Sequence, residues 1–130
     1  MIYIDTSAFY AIFDQDDANH PRAQKVWTRL IESQEAIVCN NYVLVETYAL
    51  LQHHFGIRAI TDLQKIIPLI QIDWITSEHH RLAAAALLAA NLRSLSLVDC
   101  SSFETMRRLG IEKVFAFDNH FRRQGFGLVA

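Results

Sequence analysis

The sequence predicts an α/β fold in which a mostly parallel sheet of about five strands is covered by helices on both faces. Short apolar segments rich in β-forming residues alternate with longer helical segments along the whole chain, as in proteins with parallel sheets. Glycine (4) and proline (2) are scarce, so long disordered linkers are not expected. The hydrophobic fraction of 52% predicts one compact domain over residues 1–130 with a substantial core.

Composition and boundary residues define the first elements. Met1–Ile4 is apolar and rich in β-forming residues, which predicts a short buried strand. The apolar segment Thr6–Phe13 predicts a helix, and the polar run 14–19 predicts a loop after it. Pro21 suits the first turn of a second helix, which extends to about Ile31 because apolar residues recur there on one helical face.

The same signals define the later elements. Ala36–Cys39 predicts the second strand, and Asn40 or Asn41 can cap the helix that follows it. Gly56 stops that helix after Phe55. The remaining predicted elements are a helix at Arg58–Ile67 before Pro68, a strand at Leu69–Trp74, a helix at Glu78–Ala90 capped by Thr76 or Ser77, a loop at Asn91–Ser96, a helix from near Asp99 to Leu109 closed by Gly110, a strand at Lys113–Phe117, a helical turn at Asn119–Arg123 and a strand at Gly127–Val129.

Four acidic residues lie beside apolar segments, where a carboxylate is costly. Asp5 and Asp118 directly follow predicted strands, which places them at the sheet edge where α/β proteins bind ligands. Asp99 follows an apolar run, and Glu46 interrupts an apolar helix. If the fold brings all four together, mutual repulsion adds to the cost of burial. A divalent cation removes both costs, so the acids predict a site for a hard metal ion.

Three of the acids also have a simpler interpretation. Asp5, Asp99 and Asp118 can each cap the helix or turn that follows it. Glu46 is harder to explain in this way because the residues one turn away on its helix are largely apolar. We therefore expect Glu46 to be partly buried and to need a cation, a distant arginine or a proton as its partner.

The net charge of −2 argues against a protein that coats nucleic acid without specificity. The positive charge is unevenly placed, since five of the twelve lysine and arginine residues follow position 106. They are Arg107, Arg108, Lys113, Arg122 and Arg123. A basic strip next to acids is suited to bind phosphates. Alternatively, Arg107 and Arg108 close a helix, whose C-terminal dipole favours cations.

Short motifs in a fixed order resemble the PIN-domain family, and within it the VapC-type toxins of prokaryotic toxin–antitoxin pairs. The resemblance covers essentially the full chain. The motifs are Ile4-Asp5-Thr6-Ser7-Ala8, the helix around Glu46, the run from Ser96 to Phe103, Met106 to Ile111, and Phe117 to Phe121 with Gly125-Phe126. No motif acid is missing, so nothing in the pattern indicates an inactive member.

The resemblance implies a three-layer α/β/α sandwich and an endoribonuclease that depends on Mg²⁺ or Mn²⁺. By position, Asp5, Glu46, Asp99 and Asp118 match the four acidic residues of the family's catalytic metal site. Thr6 and Ser101 match hydroxyl residues expected to orient carboxylates or waters around the metal. Asn119 and His120 lie where the family varies, so their roles stay open. The resemblance also implies an RNA substrate, a small antitoxin partner and a homodimer.

Other classes fit the sequence less well. A receiver-like module needs paired acids after the first strand and a lysine after the last, but Asp5 has no acidic neighbour and Lys113 stands at the start of its strand and not after it. A haloacid-dehalogenase-like phosphatase needs Asp-x-Asp, and position 7 is serine. A non-catalytic PIN-like interaction module and a DNA-directed nuclease stay open. No apolar run approaches the ~20 residues of a membrane span, and we expect a cytoplasmic protein without membrane association.

Overall fold

A computed structural model describes all of residues 1–130 and contains one five-stranded sheet. The strands are β1 (Ile2–Ile4), β2 (Ile37–Asn40), β3 (Ile70–Asp73), β4 (Lys113–Phe115) and β5 (Gly127–Leu128). Their order across the sheet is β3-β2-β1-β4-β5, and every neighbouring pair is parallel. The predicted α/β class with a parallel sheet of about five strands is confirmed.

Seven α-helices connect the strands and cover the sheet. They are α1 (Thr6–Phe13), α2 (His20–Ser33), α3 (Asn41–Phe55), α4 (Ile57–Ile66), α5 (Ser77–Ala90), α6 (Leu97–Leu109) and α7 (His120–Arg123). The strand order reverses direction at β1, because β2 and β3 lie on one side of it and β4 and β5 on the other. Right-handed crossovers therefore place α1 to α4 on one face of the sheet and α5 to α7 on the opposite face.

The core lies on both faces of the short strands. Its largest fully buried side chains include Tyr3 and Phe115 from the sheet, Phe9 from α1 and Phe121 from α7. Burial of these aromatic rings joins the beginning of the chain to its last helix. No helix combines the length and the apolar character that a bilayer crossing requires.

Element boundaries differ from the predicted ones where side chains replace strand pairing. The predicted strand Lys113–Phe117 ends at Phe115, because the N–H of Phe117 donates to the Ser7 hydroxyl at 3.0 Å instead of to a neighbouring strand. The predicted strand Leu69–Trp74 is shortened to β3, and its start moves to Ile70 because a 3-10 turn that contains Pro68 occupies Ile67–Leu69.

Gly56 separates α3 from α4 in a conformation that favours glycine. Its φ is 77° and its ψ is −170°, outside the regions that residues with a Cβ adopt. A Cβ placed there would meet no atom within 4 Å, so steric contact does not explain the need for glycine. The requirement is purely conformational, as the predicted helix stop implied.

We expect Gly56→Ala to lower the free energy of unfolding by about 1 kcal/mol or more, because alanine is strained at this backbone conformation. Gly127→Ala is the matched control, since Gly127 has no positive φ and its added Cβ would make only ordinary contacts at 3.9 Å. Urea unfolding of both variants measures the difference. Equal stabilities would contradict the assignment of strain to Gly56.

Candidate active site

Asp5 follows β1 and holds its carboxylate at the start of α1. Its Oδ2 accepts hydrogen bonds from the Ser7 N–H at 3.1 Å and from the Ser7 hydroxyl at 2.7 Å. The residue is only 5% exposed, and this burial raises the pKa of Asp5 to about 6. The Ser7 hydrogen bonds act in the opposite direction, while the charges of Asp99 and Glu46 raise the pKa further. The fold therefore brings three acids from distant parts of the sequence into one electrostatic environment.

Asp99 lies in the first turn of α6, where it forms a capping box with Ser96. The Ser96 hydroxyl accepts from the Asp99 N–H at 3.0 Å, and Asp99 Oδ2 accepts from the Ser96 N–H at 3.0 Å. The positive end of the helix dipole favours the negative charge at this position. The half-buried carboxylate is thus held in one orientation at the start of α6.

Asp118 lies in the turn between β4 and α7. Its Oδ1 accepts a hydrogen bond from the His120 N–H at 2.8 Å. Asp99, Asp118 and His120 each present a possible ligand atom, and these three atoms lie within 4.8 Å of one another. The His120 ring Nε2 also lies 3.8 Å from Asp118 Oδ1 and 3.1 Å from the Ser94 carbonyl oxygen. The structure therefore adds an imidazole to the acids, at a position whose role the sequence left open.

Glu46 is half-buried on α3, as its apolar neighbours predicted. It forms no ion pair with any lysine or arginine of the chain. Of the three partners that the sequence left open, a distant arginine is therefore absent. A bound cation would offset the repulsion between the Glu46 and Asp5 carboxylates.

The capping and the site interpretations of the aspartates are compatible, because each cap uses a single carboxylate oxygen. The capping oxygens are Oδ2 of Asp5, Oδ2 of Asp99 and Oδ1 of Asp118. The second oxygen of each aspartate accepts no hydrogen bond from the protein. Each aspartate is therefore fixed by its own helix start and keeps one oxygen available for a ligand.

Ser7 joins the segments that carry two of the acids, and the sequence reasoning did not identify it. Its hydroxyl donates to Asp5 Oδ2 and accepts from the Phe117 N–H, so it connects the end of β1 to the residue before Asp118. The spacing Asp-x-Ser at a helix start was the available signal, because a serine two residues after an N-cap can reach the capping carboxylate.

The two hydroxyl residues expected from the resemblance, Thr6 and Ser101, form hydrogen bonds with neutral groups and not with the acids. The Thr6 hydroxyl donates to the Val43 carbonyl oxygen at 3.5 Å and accepts from Thr47 at 3.3 Å. The Ser101 hydroxyl donates to the Val98 carbonyl oxygen at 2.7 Å and accepts from Asn40 at 3.1 Å. Neither hydroxyl contacts a carboxylate directly, so any effect of either residue on the acids passes through α3 or α6.

The basic residues divide into two groups. Arg108 forms ion pairs with Asp73 and Glu104, and Arg107 donates to the Gln124 side chain at 2.7 Å. Arg108 is therefore paired with acids of the fold, and Arg107 is tied to the residue after α7. Arg122 and Arg123 are exposed on α7 and form no ion pair. Together with Lys113 on β4, which is also exposed and forms no ion pair, they are the residues of the predicted basic strip that stay available to a phosphate.

The residues of this cluster fit a divalent cation. The donor atoms that lie within 4.8 Å of one another belong to two carboxylates, Asp99 and Asp118, and to the His120 imidazole. Asp5 and Glu46 are not part of this close group, but the charges of Asp99 and Glu46 both act on Asp5. Carboxylate oxygens are the ligands that Mg²⁺ and Mn²⁺ prefer. Burial and neighbouring charges both disfavour the ionised form of Asp5, and a cation opposes both effects. The arrangement can thus bind a metal ion that activates water and stabilises charge on a phosphate.

We expect Asp5→Asn to stabilise the metal-free protein at neutral pH. Folded Asp5 keeps its proton up to about pH 6, because burial raises its pKa from the usual 3.8 to about 6. The folded state therefore binds more protons in this window, and the free energy of unfolding falls as the pH rises through it. The stabilisation by asparagine should reach on the order of 3 kcal/mol above the window and vanish below it.

Urea unfolding in a chelator at pH 4 and pH 7.5 measures this effect. Asp16→Asn is the control, because Asp16 is exposed in the loop before α2. A difference between Asp5→Asn and the natural protein that does not change with pH would contradict the electrostatic account.

Comparison with known proteins gives one matching family. A sequence model of the PIN domain matches residues 2–127. The chain is 31% identical over 128 residues to the 23S rRNA-specific endonuclease VapC20 of two strains of Mycobacterium tuberculosis. The match covers 97% of this chain and 95% of the relative.

Solved structures show the same relationship. The crystal structure of Mycobacterium tuberculosis VapC20, described as a toxin that cleaves the sarcin–ricin loop, superimposes with a TM-score of 0.85 and 32% identity. That match covers 97% of this chain and 96% of the other. A toxin–antitoxin complex from Klebsiella pneumoniae shares the fold, with a TM-score of 0.64 at 16% identity over 100% of this chain and 97% of that one.

Proposed function

Because this chain belongs to the PIN-domain family, we propose that it is a metal-dependent endoribonuclease that hydrolyses RNA phosphodiester bonds and serves as the toxin of a toxin–antitoxin pair. The observation that carries the proposal is the meeting of Asp5, Glu46 and Asp99 in one electrostatic environment, with Asp118 close to Asp99. The relationship to an RNA endonuclease over nearly the whole chain supports the choice of RNA over DNA.

In this proposal Asp5, Glu46, Asp99 and Asp118 hold one or two Mg²⁺ or Mn²⁺ ions. Asp5 and Asp99 are the most direct ligands, and the other two acids complete the ligand set or hold water. A bound cation supplies Lewis acidity, which activates water and stabilises negative charge on phosphate oxygens.

The protein residues orient these groups and move protons. Ser7 keeps Asp5 Oδ2 occupied, so the free Oδ1 faces the ligand. One of the half-buried acids, Glu46 or Asp118, receives the proton of the attacking water. The exposed Arg122 and Arg123 neutralise phosphates that flank the cleaved bond.

We further propose that the protein forms a homodimer and binds a small antitoxin protein. An apolar surface supports the dimer: Leu82 and Leu88 on α5 are 52% and 82% exposed, and Leu92 beyond its end is 57% exposed. Exposed apolar side chains grouped on one helix are typical of protein interfaces. The proposed substrate and antitoxin are cytoplasmic molecules, so we expect the protein in the cytoplasm.

We expect Asp5→Asn and Asp99→Asn each to reduce RNA cleavage by about 100-fold or more. Loss of a residue that binds the metal should reduce activity more than loss of a residue that only orients a metal ligand. The assay follows cleavage of total cellular RNA with Mg²⁺ or Mn²⁺, and mapping of the cut sites identifies the target. Asp16→Asn is the control and should cleave at the natural rate.

Three results would contradict parts of this proposal. Near-natural cleavage by Asp5→Asn removes the metal mechanism. Cleavage of single-stranded DNA in preference to RNA identifies a DNA-directed nuclease. Absence of both cleavage and Mn²⁺ binding in the natural protein identifies a non-catalytic interaction module.

We expect Leu88→Glu to convert the dimer to a monomer, because it replaces the most exposed leucine of α5 with a charge. Light scattering after size exclusion measures the mass. Ile31→Glu is the control, since Ile31 is 38% exposed on a different helix and should leave the dimer intact. A monomeric natural protein, or a dimer that survives Leu88→Glu, would contradict the proposed interface.

A further inference from the structure

A fully buried asparagine lies between the two helices that carry Glu46 and Asp99. Asn40 is the last residue of β2, directly before α3, and has 0% exposure. Ser101 and Thr105 on α6, which it contacts, are also 0% exposed. A buried amide is costly unless its polar atoms are paired, so its partners constrain how the surrounding elements pack.

The hydrogen bonds of Asn40 connect both helices at once. Its Oδ1 accepts from the Val43 N–H at 2.9 Å and so caps α3. Its Nδ2 donates to the hydroxyls of Ser101 at 3.1 Å and Thr105 at 3.2 Å. One side chain therefore fixes the start of α3 and two successive turns of α6.

The direction of every bond in this network is set by chemistry. The Ser101 hydroxyl donates its own proton to the Val98 carbonyl oxygen at 2.7 Å, and the Thr105 hydroxyl donates to the Ser101 carbonyl oxygen at 2.9 Å. Both hydroxyls can therefore only accept from Asn40, and the Val43 N–H can only be received by an oxygen. An amide satisfies all three partners, whereas a carboxylate or a hydroxyl alone does not.

We propose that Asn40 is a positioning residue that sets the distance between Glu46 and Asp99, and so the size of the cation pocket. Glu46 lies on α3 within two turns of the cap, and Asp99 precedes Ser101 by two residues on α6. The proposal rests on the proposed function, because it assigns Asn40 a role in metal binding by those two acids. Partners that orient metal ligands without touching the metal commonly control metal affinity.

The test is Asn40→Ser, which separates the two roles of the asparagine. Serine is a good N-cap, so α3 keeps its cap, but the shorter side chain does not reach α6. We expect the Kd for Mn²⁺, measured by calorimetry on the full-length protein, to rise about tenfold or more. We also expect kcat for RNA cleavage to fall with little change in KM, because Asn40 is buried and does not contact the substrate.

Tyr3→Phe is the matched control for loss of a buried hydrogen bond. The Tyr3 hydroxyl donates to the Ser102 hydroxyl at 2.9 Å and also lies beside the Asn40 backbone, so this variant removes an equally buried link between β1 and α6 but leaves the bonds of the Asn40 side chain in place. We expect Tyr3→Phe to lower the melting temperature and to leave the Kd for Mn²⁺ unchanged. If Asn40 only stabilises the fold, Asn40→Ser will likewise lower the melting temperature and leave the Kd for Mn²⁺ unchanged.

A second variant keeps the proposal testable if Asn40→Ser does not fold. Thr105→Val removes one of the two acceptors of Asn40 Nδ2 with little change in shape, and it should raise the Kd for Mn²⁺ by a smaller factor. If folded Asn40→Ser binds Mn²⁺ as tightly as the natural protein, only the proposed role of Asn40 is overturned. The same holds for Thr105→Val if Asn40→Ser does not fold. Failure of the natural protein to bind Mn²⁺ would instead overturn the proposed function on which this role rests.

Discussion

The site depends on the pairing of one carboxylate oxygen of each aspartate with a backbone N–H at the start of a helix. Asp5, Asp99 and Asp118 each form such a bond, at α1, α6 and α7 respectively. A helix start supplies unpaired donors and a positive dipole end, so it stabilises the charge and fixes the side chain together. The parallel sheet then brings these three helix starts to the same edge.

Opposing effects act on the charged form of the Asp5 carboxylate. Desolvation and the nearby charges of Asp99 and Glu46 disfavour the charged form of Asp5, while its two bonds from Ser7 favour it. The same Ser7 hydroxyl also receives the N–H of Phe117 and ends the pairing of β4. The hydrogen bonds of Ser7 thus set both the length of β4 and the orientation of the Asp5 carboxylate. They do not remove the repulsion between Asp5 and its neighbouring acids, which a bound cation would oppose.

The strand and helix pattern was predictable because apolar segments and boundary residues are local signals. Gly56 and the helix start at Thr6 show this, and the family resemblance was confirmed by the comparisons. The position of each acid was predictable, but its geometry was not. The sequence left capping and ligand binding as alternatives for Asp5, whereas the structure allows both because a carboxylate has two oxygens. The linking roles of Ser7 and Asn40 depend on partners far away in the chain, and such pairs leave no periodic pattern in a single sequence.

The central position of β1 determines when the four acids can meet during synthesis. Asp5 is made first, but its strand pairs with β4, and Asp118 follows β4. A nascent chain that has not yet emerged from the ribosome as far as β4 lacks both the neighbouring strand and the last acid. The full set of acids therefore comes together only when the final turns of the chain fold onto the strand that was made at the outset.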